Sequence, residues 1–275
     1  EQKRALGVLP NVHVHTAVVH DPLSLRRDLR AAIAVINLVG ILNPQRQQTF
    51  QHVHVELPDK LIEACRATGV GRLHQMSALK AGQGLSQYLK SRGEMEEHVR
   101  ASALDWTLYQ PSVMFGEGDG LVSRFAKLLR SMPVLPLARA SSRLAPTWVG
   151  DVAEAIARCV ASVPLGQRRS FELYGPEVLT LGDIVRGIRD TLGLRTPIIA
   201  LPDSLGRLQA QLAELLPGKP FSLDNFRSLR TDSVGKTDGY AALGIVPQPF
   251  SPWLPRLLSE PPRQRRLAEA RSLRR

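Results

Sequence analysis

Residues 86–99, SQYLKSRGEMEEHV, set a phenol, Tyr88, four positions ahead of a cation, Arg92, in a segment patterned as a helix. Side chains four apart stand on one helix face, whereas Lys90, two positions on, points elsewhere. A phenol ordinarily holds its proton to about pH 10, so passing it near neutrality requires a cation beside it. Tyr88 and Arg92 meet that requirement. Composition alone supplies about half a match of this kind by chance, with four tyrosines and 36 Lys and Arg among 275 residues, so neighbouring elements decide what the i,i+4 pair means.

Short β-rich runs alternate with amphipathic helical ones, the pattern of a parallel sheet covered by helices on both faces. Residues 11–19 (NVHVHTAVV) predict a strand, and DPLSLRRDLRA predicts a helix capped by Asp21 with Pro22 in its first position. A strand over 34–42, a helix over 56–69 ending at Gly69 and a strand over 71–79 follow, then the Tyr88 helix and a strand over 104–116. The fold class is α/β, a doubly wound parallel sheet. Beyond residue 116 come the helices LVSRFAKLLRSM, DVAEAIARCVASV and TLGDIVRGIRDTLG, with a strand at RRSFELYG; prolines then crowd residues 197–262, as in a smaller, loop-rich lobe. The expected division is 1–174 for the main domain, with 114–146 contributing to the substrate lobe, 175–258 for the smaller α/β lobe, and a basic tail over 259–275. Ligands of such sheets bind beyond the carboxyl ends of the strands. That places Gly40, Ser77 and the turn after Gln110 around one cleft.

No run of 18 apolar residues occurs, and EQKRALGVLP lacks the apolar core of a secretory signal, so a cytoplasmic protein is expected, with a peripheral place at the inner face of a membrane as the variant. Cys65 and Cys159 fall in apolar helical patterns without metal or redox spacing and are expected to be reduced core thiols. The net charge of +11 calls for an anionic partner, and PPRQRRLAEARSLRR concentrates it, with six arginines against one glutamate. This tail is either solvated or a docking segment for a membrane-associated complex. Aromatics are 5% of the chain, too sparse for a base-stacking platform, which disfavours nucleic acid as the partner. His13 and His15 share a strand face but have no third ligand nearby in sequence, so no metal is expected; His52 and His54 are assigned no chemistry.

AVINLVGIL, GRLHQMSAL, SQYLKSR, LDWTLYQPSVMFGEGDG, TWVGDVAEAI and FELYGPEVLTLGDIV, in this order and spacing, resemble the extended and atypical short-chain dehydrogenase/reductases, a group that includes nucleotide-sugar epimerases and dehydratases. The nearest branch is that of the nucleotide-binding accessory subunit of respiratory complex I. The resemblance spans about residues 11–235 and implies a Rossmann-like domain binding NADP or NAD. It implies Ser77 as the serine bonded to a substrate oxygen, Tyr88 as general acid and Arg92 as its cation, where the family has lysine. Arginine keeps the charge in a planar fork that does not replace a compact ammonium. Cofactor contacts implied are Leu38, Val39 and Gly40 at one strand end, and Pro111, Ser112 and Val113 in the turn beyond Gln110, together with Ser77, Tyr88 and Arg92. Val18 stands where many relatives have an adenine-binding aspartate. Asp151 is expected to be the N-cap of its helix.

The family's glycine-rich loop is not in the chain, which starts just before what resembles the third strand. The 275 residues are therefore expected to be a fragment lacking the first βαβ unit, open on that side of its sheet and weak in dinucleotide affinity by itself. Two functions follow from the resemblance. One is a nucleotide-binding accessory or assembly factor related to the complex I subunit. The other is an active NAD(P)-dependent reductase or nucleotide-sugar epimerase/dehydratase, using Tyr88 and Ser77 on a small carbonyl or quinone.

Overall fold

Asp21 accepts the Leu23 and Ser24 N–H groups and Pro22 opens the first helix, α1 (Pro22–Asp28), as the residue types dictate. The computed structural model describes residues 11–214 and 221–259. β1 (Val35–Asn37) leads through an extended stretch into a π-helical turn, Gln51–Glu56, that runs into α2 (Leu57–Thr68). α2 stops at Gly69, whose φ of 78° is left-handed backbone that glycine adopts without strain. β2 (Arg72–Met76), α3 (Gln87–Ala101) and β3 (Asp105–Pro111) follow, with the Ser86 hydroxyl capping α3 through the Leu89 N–H. Next come β4 (Met114–Phe115), α4 (Gly120–Ser131), β5 (Leu135–Ala138), β6 (Arg143–Leu144) and β7 (Thr147–Trp148). α5 (Val149–Ala161), α6 (Val163–Gly166), β8 (Arg169–Leu173), β9 (Leu179–Thr180) and α7 (Leu181–Thr191) complete the middle of the chain. β10 (Ile198–Leu201), α8 (Asp203–Ala213), α9 (Leu223–Ser228), α10 (Gly239–Ala242), a 3₁₀ turn at Ser251–Trp253 and α11 (Leu254–Leu258) end the described chain.

The main sheet is parallel throughout, in the order β1-β2-β3-β8, with Asn37 beside Gln75, Met76 beside Tyr109, and Tyr109 beside Phe171. Two cores cover it. On one face Leu61, Cys65, Leu73, Met95, Val99 and Leu108 pack together. On the other, Tyr109, Cys159, Phe171, Leu173 and Tyr240 do so. Both thiols are buried and reduced, as expected. The smaller lobe has its own core, including Phe115, Leu129, Leu137, Ile184, Ile188 and Phe250, under the parallel pair β5–β10 and the antiparallel pair β6–β9. Among the described residues no helix is long and apolar enough to cross a membrane.

Three expectations fail. Residues 11–19 form no strand, because a strand needs a neighbour for its backbone groups and none lies beside this segment among the described residues. His13 and His15 therefore share no strand face, and no cluster of three His, Cys, Asp or Glu able to hold a metal occurs among the described residues. The strand over 34–42 shortens to Val35–Asn37, an edge of the sheet that leaves Ile36, Leu38 and Val39 exposed. Asp151 is the third residue of α5, not its N-cap; its carboxylate accepts the Gln248 N–H at 2.7 Å, and burial pushes its pKa up. The basic tail beyond residue 259 lies outside the described residues.

A candidate dinucleotide cleft at the carboxyl ends of β1 and β2

Four polar residues, Tyr88, Arg92, Glu96 and Arg100, recur every fourth position along α3 and so form one row on the helix. The two ends of that row have different surroundings.

At the upper end, Arg92 is only 5% exposed. Its Nη1 donates to the Met76 carbonyl at the end of β2, 3.1 Å away, and its guanidinium carbon lies 5.6 Å from the centre of the Tyr88 ring. Its Nε is buried without a partner among the described residues. Gly40 closes the other side: the end of the Arg92 guanidinium lies where a Cβ would stand, a close approach that the bare glycine backbone permits. The half-buried Tyr88 ring meets Phe50 and His54 edge-on, at 6.1 and 5.6 Å.

His54, given no role by the sequence, ties this end together. Its Nε2 accepts the Ile41 N–H at 3.1 Å, which leaves Nδ1 to carry the proton and donate to Ser91 Oγ at 2.9 Å. Ser91 Oγ donates in turn to the Tyr88 carbonyl, also at 2.9 Å. Burial, and then the Arg92 charge, hold the His54 pKa down to about 3, so the ring is neutral at ordinary pH. The loop after β1 is thereby fastened to the turn of α3 that carries Tyr88. The π-helical turn aims His54 inward, and such turns often occur at functional sites.

At the lower end, Glu96 is buried under the sheet. It accepts from Ser77 Oγ at 2.5 Å, from Gln110 Nε2 at 2.7 and 2.9 Å, and from Arg100 Nη2 at 2.7 Å. Ser77 is therefore at the expected strand end, with its hydroxyl bonded to Glu96 and not to Tyr88. The start of α3 is held by the smaller lobe: the Asp224 carboxylate of α9 accepts the Gln87 and Tyr88 N–H groups at 2.7 and 3.0 Å.

The other expected contact residues divide. Leu38 and Val39 are exposed beside Gly40, and the Val39 N–H is turned onto Asn37 Oδ1 at 3.1 Å. Pro111, Ser112 and Val113 are fixed by neighbouring backbone. The Pro111 carbonyl accepts the Leu79 N–H, Ser112 Oγ donates to the Ser233 carbonyl at 3.0 Å, and the Val113 carbonyl accepts the Thr147 N–H. Gly40, Tyr88 and Arg92 thus converge directly, while Ser112 is engaged with the smaller lobe.

A family model described as NAD(P)H-binding matches residues 1–129. An NADPH-dependent quinone oxidoreductase from Escherichia coli superposes with a TM-score of 0.74 over 94% of this chain and 87% of its own, at 17% identity. A dTDP-glucose 4,6-dehydratase from Streptomyces venezuelae, solved with NAD, superposes at 0.71 over 94% and 82%, at 18% identity. Residues 1–129 thus resemble an NAD(P)H-binding domain, and the chain as a whole shares the fold of these two structures. Curated proteins similar to it include the NADH dehydrogenase [ubiquinone] 1 alpha subcomplex subunit 9 of Arabidopsis thaliana, 25% identical over 82% of this chain and 60% of that protein. The corresponding rat subunit is 28% identical over 84% and 62%, and a ceramide reductase of Caulobacter vibrioides is 28% identical over 70% and 60%. The chain thus spans about 60% of the length of these relatives.

The residues present fit the dinucleotide of such a domain at one end. The Arg92 guanidinium fills the space beside Gly40, and its buried Nε, without a partner among the described residues, is the donor left at that strand end.

Proposed function

We propose that this dehydrogenase-type chain is a nucleotide-binding accessory or assembly module of a membrane-associated complex, related to the complex I subunit, and that its cleft has kept binding and lost efficient chemistry. The observation that carries this reading is the 2.5 Å bond from Ser77 Oγ to Glu96. A serine engaged there has no hydroxyl to share with Tyr88 over a substrate oxygen. Arg92 supports the same reading, since its fork is already bound to Met76 and stands where the family has an ammonium. In this proposal Leu38, Val39, Gly40, Tyr88 and Arg92 hold the nicotinamide half of NAD or NADP, with Pro111, Ser112 and Val113 as the far wall. Residues 1–174 serve the nucleotide and 175–258 face the partner. When bound, the cofactor would supply hydride chemistry; the residues of this chain bind and orient it. The place of action is peripheral, at the inner face of a membrane, as suits relatives named as subunits of the ubiquinone-reducing NADH dehydrogenase.

A second reading, a reductase acting on a small carbonyl or quinone, is favoured by the Tyr88–Arg92 contact and by the relative named a ceramide reductase. One experiment separates the two. NADH and NADPH are titrated calorimetrically, and NADPH oxidation is followed with a panel of quinones, aldehydes and ketones, for the unaltered chain and for Tyr88→Phe. Weak but saturable nucleotide binding, with background turnover in both forms, is the expected result for this chain by itself. Brisk turnover that falls on the order of 10²-fold in Tyr88→Phe, with nucleotide affinity unchanged, establishes the reductase reading. Absence of any nucleotide binding overturns both.

A further inference from the structure

Helix α8 is held against β5 by its small residues. A Cβ at Gly206 would meet the Ala138 Cβ and the Phe226 ring, each at 3.0 Å; Ala210 is fully buried; and Gln209 Nε2 donates to the Pro136 carbonyl at 2.9 Å. Phe226, on α9, lies against Gly206 and Ala210 and so covers one flank of α8. On a wheel of about 3.6 residues per turn, Leu205, Leu208 and Leu212 fall together on the opposite flank. They are 51%, 50% and 57% exposed.

The adjoining surface is the edge strand. α8 meets Ala138 through Gly206 and Pro136 through Gln209, so it runs antiparallel to β5 and to β10, the parallel neighbour of β5. Ile199 pairs in register with Pro136, which places its side chain on the α8 face of β10, where it is 52% exposed. An apolar stripe therefore continues from the helix flank onto the outermost strand of this pair. At its lower end stand Arg195, just before β10, and Arg130, brought beside it by the 3.1 Å bond from Thr196 Oγ to the Leu129 carbonyl. Both arginines are exposed. The nearby acids are engaged: Asp190 with Arg189, Asp203 with Arg139, and Glu214 with the Leu223 N–H, each at 2.8 Å.

We infer that this face rests on an anionic lipid surface, with Leu205, Leu208, Leu212 and Ile199 entering the boundary between headgroups and acyl chains and Arg130 and Arg195 on the lipid phosphates. A half-exposed leucine stripe bordered by cations that pair with no acid among the described residues suits that boundary. A second copy of the chain fits less well. Four apolar side chains are few beside the roughly 20–30 residues that each partner brings to a stable protein interface.

The test needs no nucleotide and is independent of the cleft. The full chain is sedimented with vesicles of phosphatidylcholine alone and with vesicles of equal parts phosphatidylcholine and phosphatidylglycerol. The expected result is salt-sensitive binding to the mixed vesicles only, and an apparent affinity lower by about tenfold or more in the double variant Leu208→Gln, Leu212→Gln, where neutral replacements remove apolar contact without changing charge. Both leucines are surface residues, so the thermal midpoint should hold. Undiminished binding by the double variant would assign the lipid contact to the basic tail and overturn the inference. So would no binding by the starting protein, or a dimer in sedimentation velocity that the same variant dissociates.

Discussion

The upper and lower halves of the polar row on α3 are built from similar residues and do opposite things. Below, Glu96 gathers Ser77, Gln110 and Arg100 around one carboxylate and is closed to any newcomer. Above, the buried Arg92 Nε has no partner among the described residues. The lower half is a structural clamp between α3 and strands β2 and β3, whereas the upper half is where the proposed function places the ligand. Four residues along one helix thus differ in how fully they are engaged, and the Ser77 hydroxyl is bonded at the fully engaged end.

Removing the clamp should have the largest effect. Glu96→Ala leaves the Ser77 hydroxyl, the Gln110 amide and the Arg100 guanidinium with lost partners and should cost about 3 kcal/mol in urea unfolding, with nucleotide binding falling only as folding does. A loss under about 0.5 kcal/mol would show that the buried carboxylate is no clamp.

Acid should act on the upper half next. The His54 pKa is depressed to about 3 in the fold from 6.5, and that of His74 to about 4, chiefly by burial. Below 6.5 the unfolded chain takes up these protons first, so stability present above 6.5 is lost as the pH falls toward the folded values. At pH 5 each histidine should cost about 2 kcal/mol relative to pH 8. His54→Gln should flatten the acid limb of a stability-against-pH curve by about that amount, and an unchanged limb would mean that the ring is not locked between Ile41 and Ser91.

The smallest effect belongs to Gly40→Ala. The new methyl group meets the mobile end of Arg92, which can swing off the Met76 carbonyl. The expected loss is about 1 kcal/mol in stability. Nucleotide affinity should drop alongside it; retained affinity would separate Gly40 from the ligand.

The alternation of strands and helices was legible because each element carries its own period and caps: Asp21 before Pro22, Ser86 before the Tyr88 helix, Gly69 after α2. The Tyr88–Arg92 contact was legible because four-residue spacing is a local rule of helices. Residues 11–19 misled for the complementary reason. Alternating valine and histidine favour extended backbone, but a strand exists only where another backbone accepts its hydrogen bonds, and local sequence does not report that. His54 and Ser77 share this blindness: their deciding partners, Ile41, Ser91 and Glu96, lie 13, 37 and 19 positions away, distances that no periodicity encodes.

The grip of Asp224 on the first turn of α3 bears on how the molecule opens. The amides of Gln87 and Tyr88 have their acceptor in the smaller lobe, so they gain access to solvent deuterium when α9 lifts away, whereas the amide of Leu89, bonded to the Ser86 hydroxyl, does not depend on that motion. These two protons time the separation of the lobes, and their exchange should slow together whenever something bridges the cleft beside them.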